Sequence, residues 1–251
     1  MEKLILDDIR EFISTNIIRF HQSRIARLEG IDLRGLLKKK NPYLFKAKNI
    51  HIASDLIKDI LDAFLSSSEE KLFGDFLEEL AIFIADRVYD GKKSAATGMD
   101  LEFVNEGAHY LVSIKSGPNW GNSAQHRKLQ DDFQRATRVL KQSHSTRNVQ
   151  PVLGICYGKV RESYGKGYRK LVGQQFWHFI SGDRYLYTDI VVPLGHRARE
   201  HNDKFKRKKA RVVNRFTKDF MLSFCTDDLI DWVKLVQFNS GNMQKGDLEL
   251  S

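Results

Sequence analysis

The chain has 251 residues, 41% of them hydrophobic and 11% aromatic, with only 17 Gly and 4 Pro, which suits a folded globule with a sizeable core and excludes fibrous or extensively disordered architectures. Lys and Arg number 41 against 32 Asp and Glu, a formal charge of +9 that favours polyanionic partners. Two distant cysteines, Cys156 and Cys225, exclude a disulfide framework or a zinc knuckle and fit a reducing cytoplasm.

The opening stretch "MEKLILDDIREF" breaks its apolar positions with charge, so it is no secretory leader, and no window is apolar for long enough to span a bilayer. A soluble, cytoplasmic chain without a membrane partner is the expectation. Leu4, Ile5, Ile9, Phe12, Ile13, Ile17, Ile18 and Ile25 recur mostly at helical spacing and stop at Gly30, so residues 1–29 read as an amphipathic helix. Pro42 interrupts the basic segment that follows, whose Lys38, Lys39 and Lys40 should face solvent. Helices over about 51–65 and 69–89 are then expected, with "SSSEE" between them supplying capping-box spacing for a new start near 68.

After the loop "YDGKKSAATG" the pattern changes to period 2. In "MDLEF", Asp100 and Glu102 share one face. In "HYLVSIK", His109, Leu111, Ser113 and Lys115 lie opposite Tyr110, Val112 and Ile114. "VNEGA" supplies a turn, so the two runs predict an antiparallel hairpin with Asp100 and Lys115 on one face. That pair alone reads equally as an exposed cross-strand ion pair. His109 reads as structural rather than as a general base.

Ser123 is placed to cap a helix to about 142 with Leu129, Phe133, Ala136 and Leu140 as its stripe. "PVLGICYG" has the continuous apolar character of a buried strand, and "RESYGKGYRK" reads as a basic loop able to touch DNA. "QQFWHFISG" and "YLYTDIVVPLG" are helix or strand, and "TDDLIDWVKLVQF" predicts a last helix capped by Thr226. Residues 197–218 hold ten Lys or Arg against Glu200 and Asp203. Lys204, Lys206, Arg207, Lys208, Lys209 and Arg211 are its candidate DNA-binding residues, with a solvated helix face as the plain alternative.

Helix, strand with Asp, strand ending in x-x-Lys, helix, strand: this order resembles the PD-(D/E)xK nuclease core. "GMDLEF", "VSIKSG" and "GPNWGNS" together most resemble type II restriction endonucleases whose lysine is followed by Ser-Gly-Pro-Asn. The resemblance covers about residues 69–160. It implies an α/β fold, a restriction-endonuclease-like core with a mixed central sheet flanked by helices and with helical additions at both ends. One nuclease domain over 1–251 is expected, with a helical part to 68, the core at 69–160 and a basic, C-terminal helical part at 161–251.

The resemblance further implies Mg2+-dependent hydrolysis of double-stranded DNA at a specific site, leaving 5′-phosphates. It implies a homodimer, and a cognate DNA methyltransferase acting on the same site. Asp100, Glu78 and the main-chain carbonyl of Ile114 would hold the metal, and Lys115 would stabilise charge on the phosphate. Ser113 stands where the family has an acid. Some restriction endonucleases with a Ser-x-Lys version draw the missing carboxylate from the following helix, where the wheel puts Asp132 about 60° from Leu129, so the resemblance makes Asp132 the expected substitute, with Glu102 as rival. Glu78 and Glu79 flank the stripe of their helix on opposite edges, and the family's Leu-Glu form favours Glu78. Asn119, Trp120 and Asn122 would touch DNA near the scissile bond. A structure-specific nuclease of the same fold and a catalytically decayed DNA-binding protein are the alternatives.

Overall fold

The computed structural model describes residues 2–143 and 148–241, the side chains of 2–5 and 143 excepted. In chain order the elements are α1 (Glu2–Glu29), α2 (Leu33–Leu37), α3 (Pro42–Ala47), α4 (Ala53–Tyr89), β1 (Lys92–Lys93), β2 (Leu101–Asn105), β3 (Ala108–Lys115), α5 (Ser123–Ser143) and β4 (Val149–Ile155). There follow β5 (Ser163–Gly165), β6 (Tyr168–Val172), α6 (Gln174–Ser181), α7 (Leu186–Asp189), α8 (Val191–Leu194), α9 (Ala198–Phe224), β7 (Cys225–Thr226), β8 (Leu229–Ile230) and α10 (Trp232–Ser240). No described helix is long and apolar enough to cross a membrane.

The chain divides into two compact units, Met1–Phe20 with Leu72–Ala198 and His21–Lys71 with Arg199–Ser251. Each has its own apolar core. In the first, a mixed sheet runs in the order β1-β2-β3-β4-β6-β5. The neighbours β1–β2, β2–β3 and β5–β6 are antiparallel, while β3–β4 and β4–β6 are parallel. The β3–α5–β4 crossover makes the parallel step, since parallel neighbours need a long connection and a helix supplies it.

Alternation sorts the hairpin's side chains as expected. Leu101, Phe103, Val112 and Ile114 face a core completed by Ile9, Ile13 and Ile17 of α1, Phe76 to Ile84 of α4, and Phe176 and Trp177 of α6. Leu111 and Leu153 face the other way, onto Leu129, Phe133 and Ala136 of α5. Each such side chain contributes about 1.5–3 kcal/mol on burial, so a one-residue slip of register would be opposed on both faces at once. Gly154 leaves room for the buried ring of Phe176, which lies where a Cβ would stand.

The second unit is helical, with one small hairpin. Leu28, Leu36, Phe45, Leu56, Ile60, Phe205, Val212, Phe216 and Phe220 are among its core residues. Asn239 ties α10 to the end of α2, donating to the carbonyls of Leu37 and Lys40.

Several local expectations are corrected. Residues 53–89 form one helix, not two: Ser67 donates its hydroxyl to the Ala63 carbonyl 3.1 Å away, so the serine run bonds back into the helix instead of capping a new one. The helix that follows the Lys115 loop is capped by Asn122, whose Oδ1 accepts from Ala124 N and Gln125 N while Gln125 Oε1 accepts from Asn122 N. Pro42 opens α3 under an Asn41 cap. Residues 163–172 are an antiparallel hairpin, not a loop, turning at Lys166 and Gly167, both with positive φ. The last helix starts at Trp232 under Asp231, because Asp227 and Asp228 take positive φ and close the β7–β8 hairpin where Thr226 was expected to cap.

Candidate active site

The turn at Glu106 and Gly107, both with positive φ, sets the β2–β3 register, which pairs Leu101 with Val112. Asp100, one residue before β2, therefore lies opposite Ser113. Its main-chain N–H donates to the Val112 carbonyl at 2.9 Å. Its carboxylate Oδ2 accepts from Ile114 N at 2.6 Å and from Ser113 Oγ at 3.3 Å. Ser113 is fully buried, so at this position the hydroxyl orients Asp100 and adds no second charge.

Lys115 closes the corner. Its Nζ donates to the Ile114 carbonyl at 2.8 Å and stands 3.6 Å from Asp100 Oδ2. On its other side the ammonium lies 5.7 Å from the centre of the Trp120 ring, within cation–π range. The expected same-face pair is thus a half-buried junction of one ammonium, one carboxylate and one carbonyl.

A second carboxylate approaches from α4. Gly74 lets that helix close on the end of β3, since a Cβ there would stand 3.2 Å from Ser116 Cβ. One turn later Glu78 is half-buried, while Glu79 is exposed. The packing separates two residues that the helical wheel could not. Burial raises the Glu78 carboxyl above its ordinary range and the Asp100 charge raises it further, against the opposing pull of Lys93 and Lys115. Lys93 Nζ is 3.8 Å from Glu78 Oε1. Burial also pushes the neighbouring Cys156 thiol up to about 12, with the charge of Glu78 adding to the effect, so this thiol stays neutral.

The other expected acids are held elsewhere. Asp132 is buried and pairs with Arg135 on its own helix, and its carboxylate packs against Gly98, where a Cβ would come within 2.6 Å of Oδ2. It supports the turn two residues before Asp100. Gly98, with φ +81°, is a residue that sequence reasoning missed, although the glycine of "GMD" was the available signal. Glu102 accepts from Ser94 Oγ at 3.2 Å, pairs with Lys92 at 3.3 Å and stands 3.9 Å from His109 Nε2. Among the described residues no group of three or more His, Cys, Asp or Glu is gathered to hold a metal ion.

In the loop after Lys115, Asn119 is exposed and Asn122 is engaged as the α5 cap. Trp120 lies edge-on to His126 and packs on the α5 side of the sheet, so its ring walls the ammonium. Gly117 lets Tyr157 close over the loop: the phenol ring lies where a Cβ would be. Lys204, Lys206, Arg207 and Arg211 are exposed on α9, while Lys208 pairs with Glu29 and Lys209 with Asp62.

The donor set fits a hard divalent cation. Glu78, Asp100 and the Ile114 carbonyl supply oxygen alone, and the last two already share one positive charge, the Lys115 ammonium. The Glu78 carboxyl is raised by burial first and by the Asp100 charge second, a cost that a bound cation would relieve.

Among known protein families, the model described as type II restriction endonuclease EcoO109I matches residues 7–202 of the chain. No curated protein matches it.

Proposed function

This chain belongs to the type II restriction endonuclease EcoO109I family, whose substrate is DNA, and from that premise we propose that it cuts duplex DNA at a specific site with Mg2+ and leaves 5′-phosphates. The observation that carries the reading is the Asp100–Ile114–Lys115 junction, with Glu78 facing it from α4. Glu78, Asp100 and the Ile114 carbonyl would hold the ion. When bound, it supplies Lewis acidity at a phosphoryl oxygen and lowers the pKa of water.

The chain's own residues do the rest. Ile114 N–H and Ser113 Oγ hold Asp100 through Oδ2 in one orientation. Lys115 offers a fixed cation to the charge that grows on the phosphate oxygens, and the Trp120 ring confines it to one side. Water attacks phosphorus in line with the 3′ oxygen, the P–O3′ bond breaks, and the proton lost by water balances the one taken up by the leaving oxygen. The products are a 3′-hydroxyl and a 5′-phosphate.

A two-fold dimer matching a palindromic site belongs to the same reading, because protein symmetry mirrors DNA symmetry. So does a methyltransferase that protects the site in the host. Asn119 is the exposed loop residue best placed to meet DNA.

The test is incubation of the purified protein with unmethylated plasmid and phage DNA in Mg2+, beside EDTA and Lys115→Ala, with the ends mapped. Discrete fragments bearing 5′-phosphates, lost in both controls, support the reading. Tight binding without cleavage of any duplex gives precedence to the decayed DNA-binding protein.

A further inference from the structure

Helix α9 sorts its charges by face. Phe205, Val212, Val213, Phe216, Phe220 and Phe224 form its buried stripe. Lys208 and Lys209 are partly covered and pair with Glu29 and Asp62 of the same unit, so they fasten the helix. Lys204, Arg207, Arg211, Arg215 and Lys218 are exposed and recur every three or four residues. At 100° per residue all five fall within an arc of about 80°, and from first to last the row rises about 21 Å. Lys206 lies well away from this arc.

Two properties of the row point to its partner. Residues 204–218 contain no Asp or Glu, and among the described residues none of the five is ion-paired. Like charges at this spacing repel along a helix, and although Glu200, Asp203 and Asp219 flank the row one turn from Lys204, Arg207 and Arg215, none of the five cations is ion-paired with them. A row of cations with one regular spacing complements a chain of phosphates, which carries one charge per about 3.4 Å on each strand. The family match ends at residue 202, before the row begins.

We propose that the outer ridge of α9 is a surface for the DNA backbone, gripping phosphates along about six base pairs without reading bases. This rests on the reading of the chain as a DNA-cleaving enzyme and adds where the second unit meets the substrate. It also divides the basic segment: Lys204, Arg207, Arg211, Arg215 and Lys218 bind, while Lys208 and Lys209 brace.

The test is the salt dependence of binding to a fluorescent duplex of arbitrary sequence, measured in EDTA so that it reads the same whether or not the protein cuts. In the variant carrying Lys204→Gln, Arg207→Gln, Arg211→Gln, Arg215→Gln and Lys218→Gln, the slope of log K against log salt should shrink by about 4 to 5, roughly 0.9 for each phosphate no longer neutralised. Affinity at about 0.15 M salt should fall by at least about tenfold. Arg211→Gln alone should remove about 0.9, which keeps the test valid if the combined variant does not fold. Lys208→Gln with Lys209→Gln should lower Tm and change the slope by less than one. An unchanged slope in the five-site variant overturns the proposal, as does an equal loss in the Lys208 and Lys209 pair. Capture of an acidic protein by the ridge with the DNA slope unaltered would also overturn it. Failure to cleave in Mg2+ would count against the functional reading alone.

Discussion

At the Asp100 corner two carboxylates, an ammonium and a carbonyl crowd together half out of water, whereas along α9 five cations stand in solvent at regular intervals. In the corner each charge is oriented by a named neighbour and one of them, Glu78, is shifted by burial and by its partner. On the ridge no ion pair among the described residues orients the charges, and in the proposed role their number and spacing would carry the effect. Chemistry on a single phosphorus atom needs the first arrangement, because placement decides how much charge stabilisation reaches the transition state. Holding a polymer needs the second, because each phosphate is like the next.

The sharpest way to break this contrast is Glu78→Gln. If the corner works through placed charge, cleavage in Mg2+ should fall about 100-fold or more while duplex binding in EDTA is kept. The stability effect has a definite sign. A carboxyl raised in the fold contributes stability while protonated, below its unfolded value, and loses it as pH rises through the folded value. Above that window the metal-free protein carries the cost of a buried Glu78 charge and, added to it, the repulsion from Asp100. Glu78→Gln should therefore raise metal-free Tm at pH 8 by about 2 °C, with little change at about pH 4, and should abolish the rise in Tm that Mg2+ produces in the unmodified chain. A parent protein whose Tm ignores Mg2+ would remove the metal from the corner.

Gly98→Ala comes next. Its φ of +81° and the Asp132 carboxylate both oppose a Cβ, so a loss of about 1–3 kcal/mol is expected, seen as a fall in Tm of about 5 °C. Cleavage should drop about tenfold beyond what unfolding explains, because Asp100 lies two residues on. A lower Tm with an unchanged rate would show that the turn holds the fold but not the carboxylate.

Ser113→Ala should be the mildest. The hydroxyl bond at 3.3 Å is long, and Ile114 N–H still holds Oδ2, so a three- to tenfold loss of rate is expected, within the worth of one hydrogen bond of about 0.5–1.5 kcal/mol. A loss as large as that of Glu78→Gln would mean that the serine does more than orient Asp100.

The same contrast explains what could be read from the chain. Asp100, Ser113 and Lys115 were legible because strand alternation and a two-residue turn are short-range rules, and the hairpin obeys both. The mixed α/β fold followed from element order. Glu78 against Glu79 was not legible, since the choice depends on how closely α4 approaches β3, and that is set by the distant contact of Gly74 with Ser116. Asp132 was placed correctly on the inner side of its helix, but what its carboxylate meets is Gly98, far back in the chain. Helix ends failed where caps compete: Asn122 beats Ser123, Asp231 replaces Thr226, and the serines near 67 bond back into an unbroken helix. Such contests turn on single hydrogen bonds, and adjacent residues offer them on nearly equal terms.

The peptide groups of Ile114 have a further consequence. The Val112 carbonyl accepts from Asp100 N, on the β2 side, while the Lys115 carbonyl points toward β4 and accepts from Cys156 N. β2 begins at Leu101, opposite Val112, so none of its residues lies across from Ile114. The Asp100 carboxylate takes the N–H that a longer strand would have taken, and the Lys115 ammonium takes the carbonyl. The Asp100 corner is therefore an unfinished edge of the sheet, capped by two side chains in place of a neighbour's backbone. Extending β2 across Ile114 would complete the ladder and consume both groups. In this architecture the proposed reactive centre and a fully zipped hairpin are mutually exclusive, and the length of one short strand decides between them.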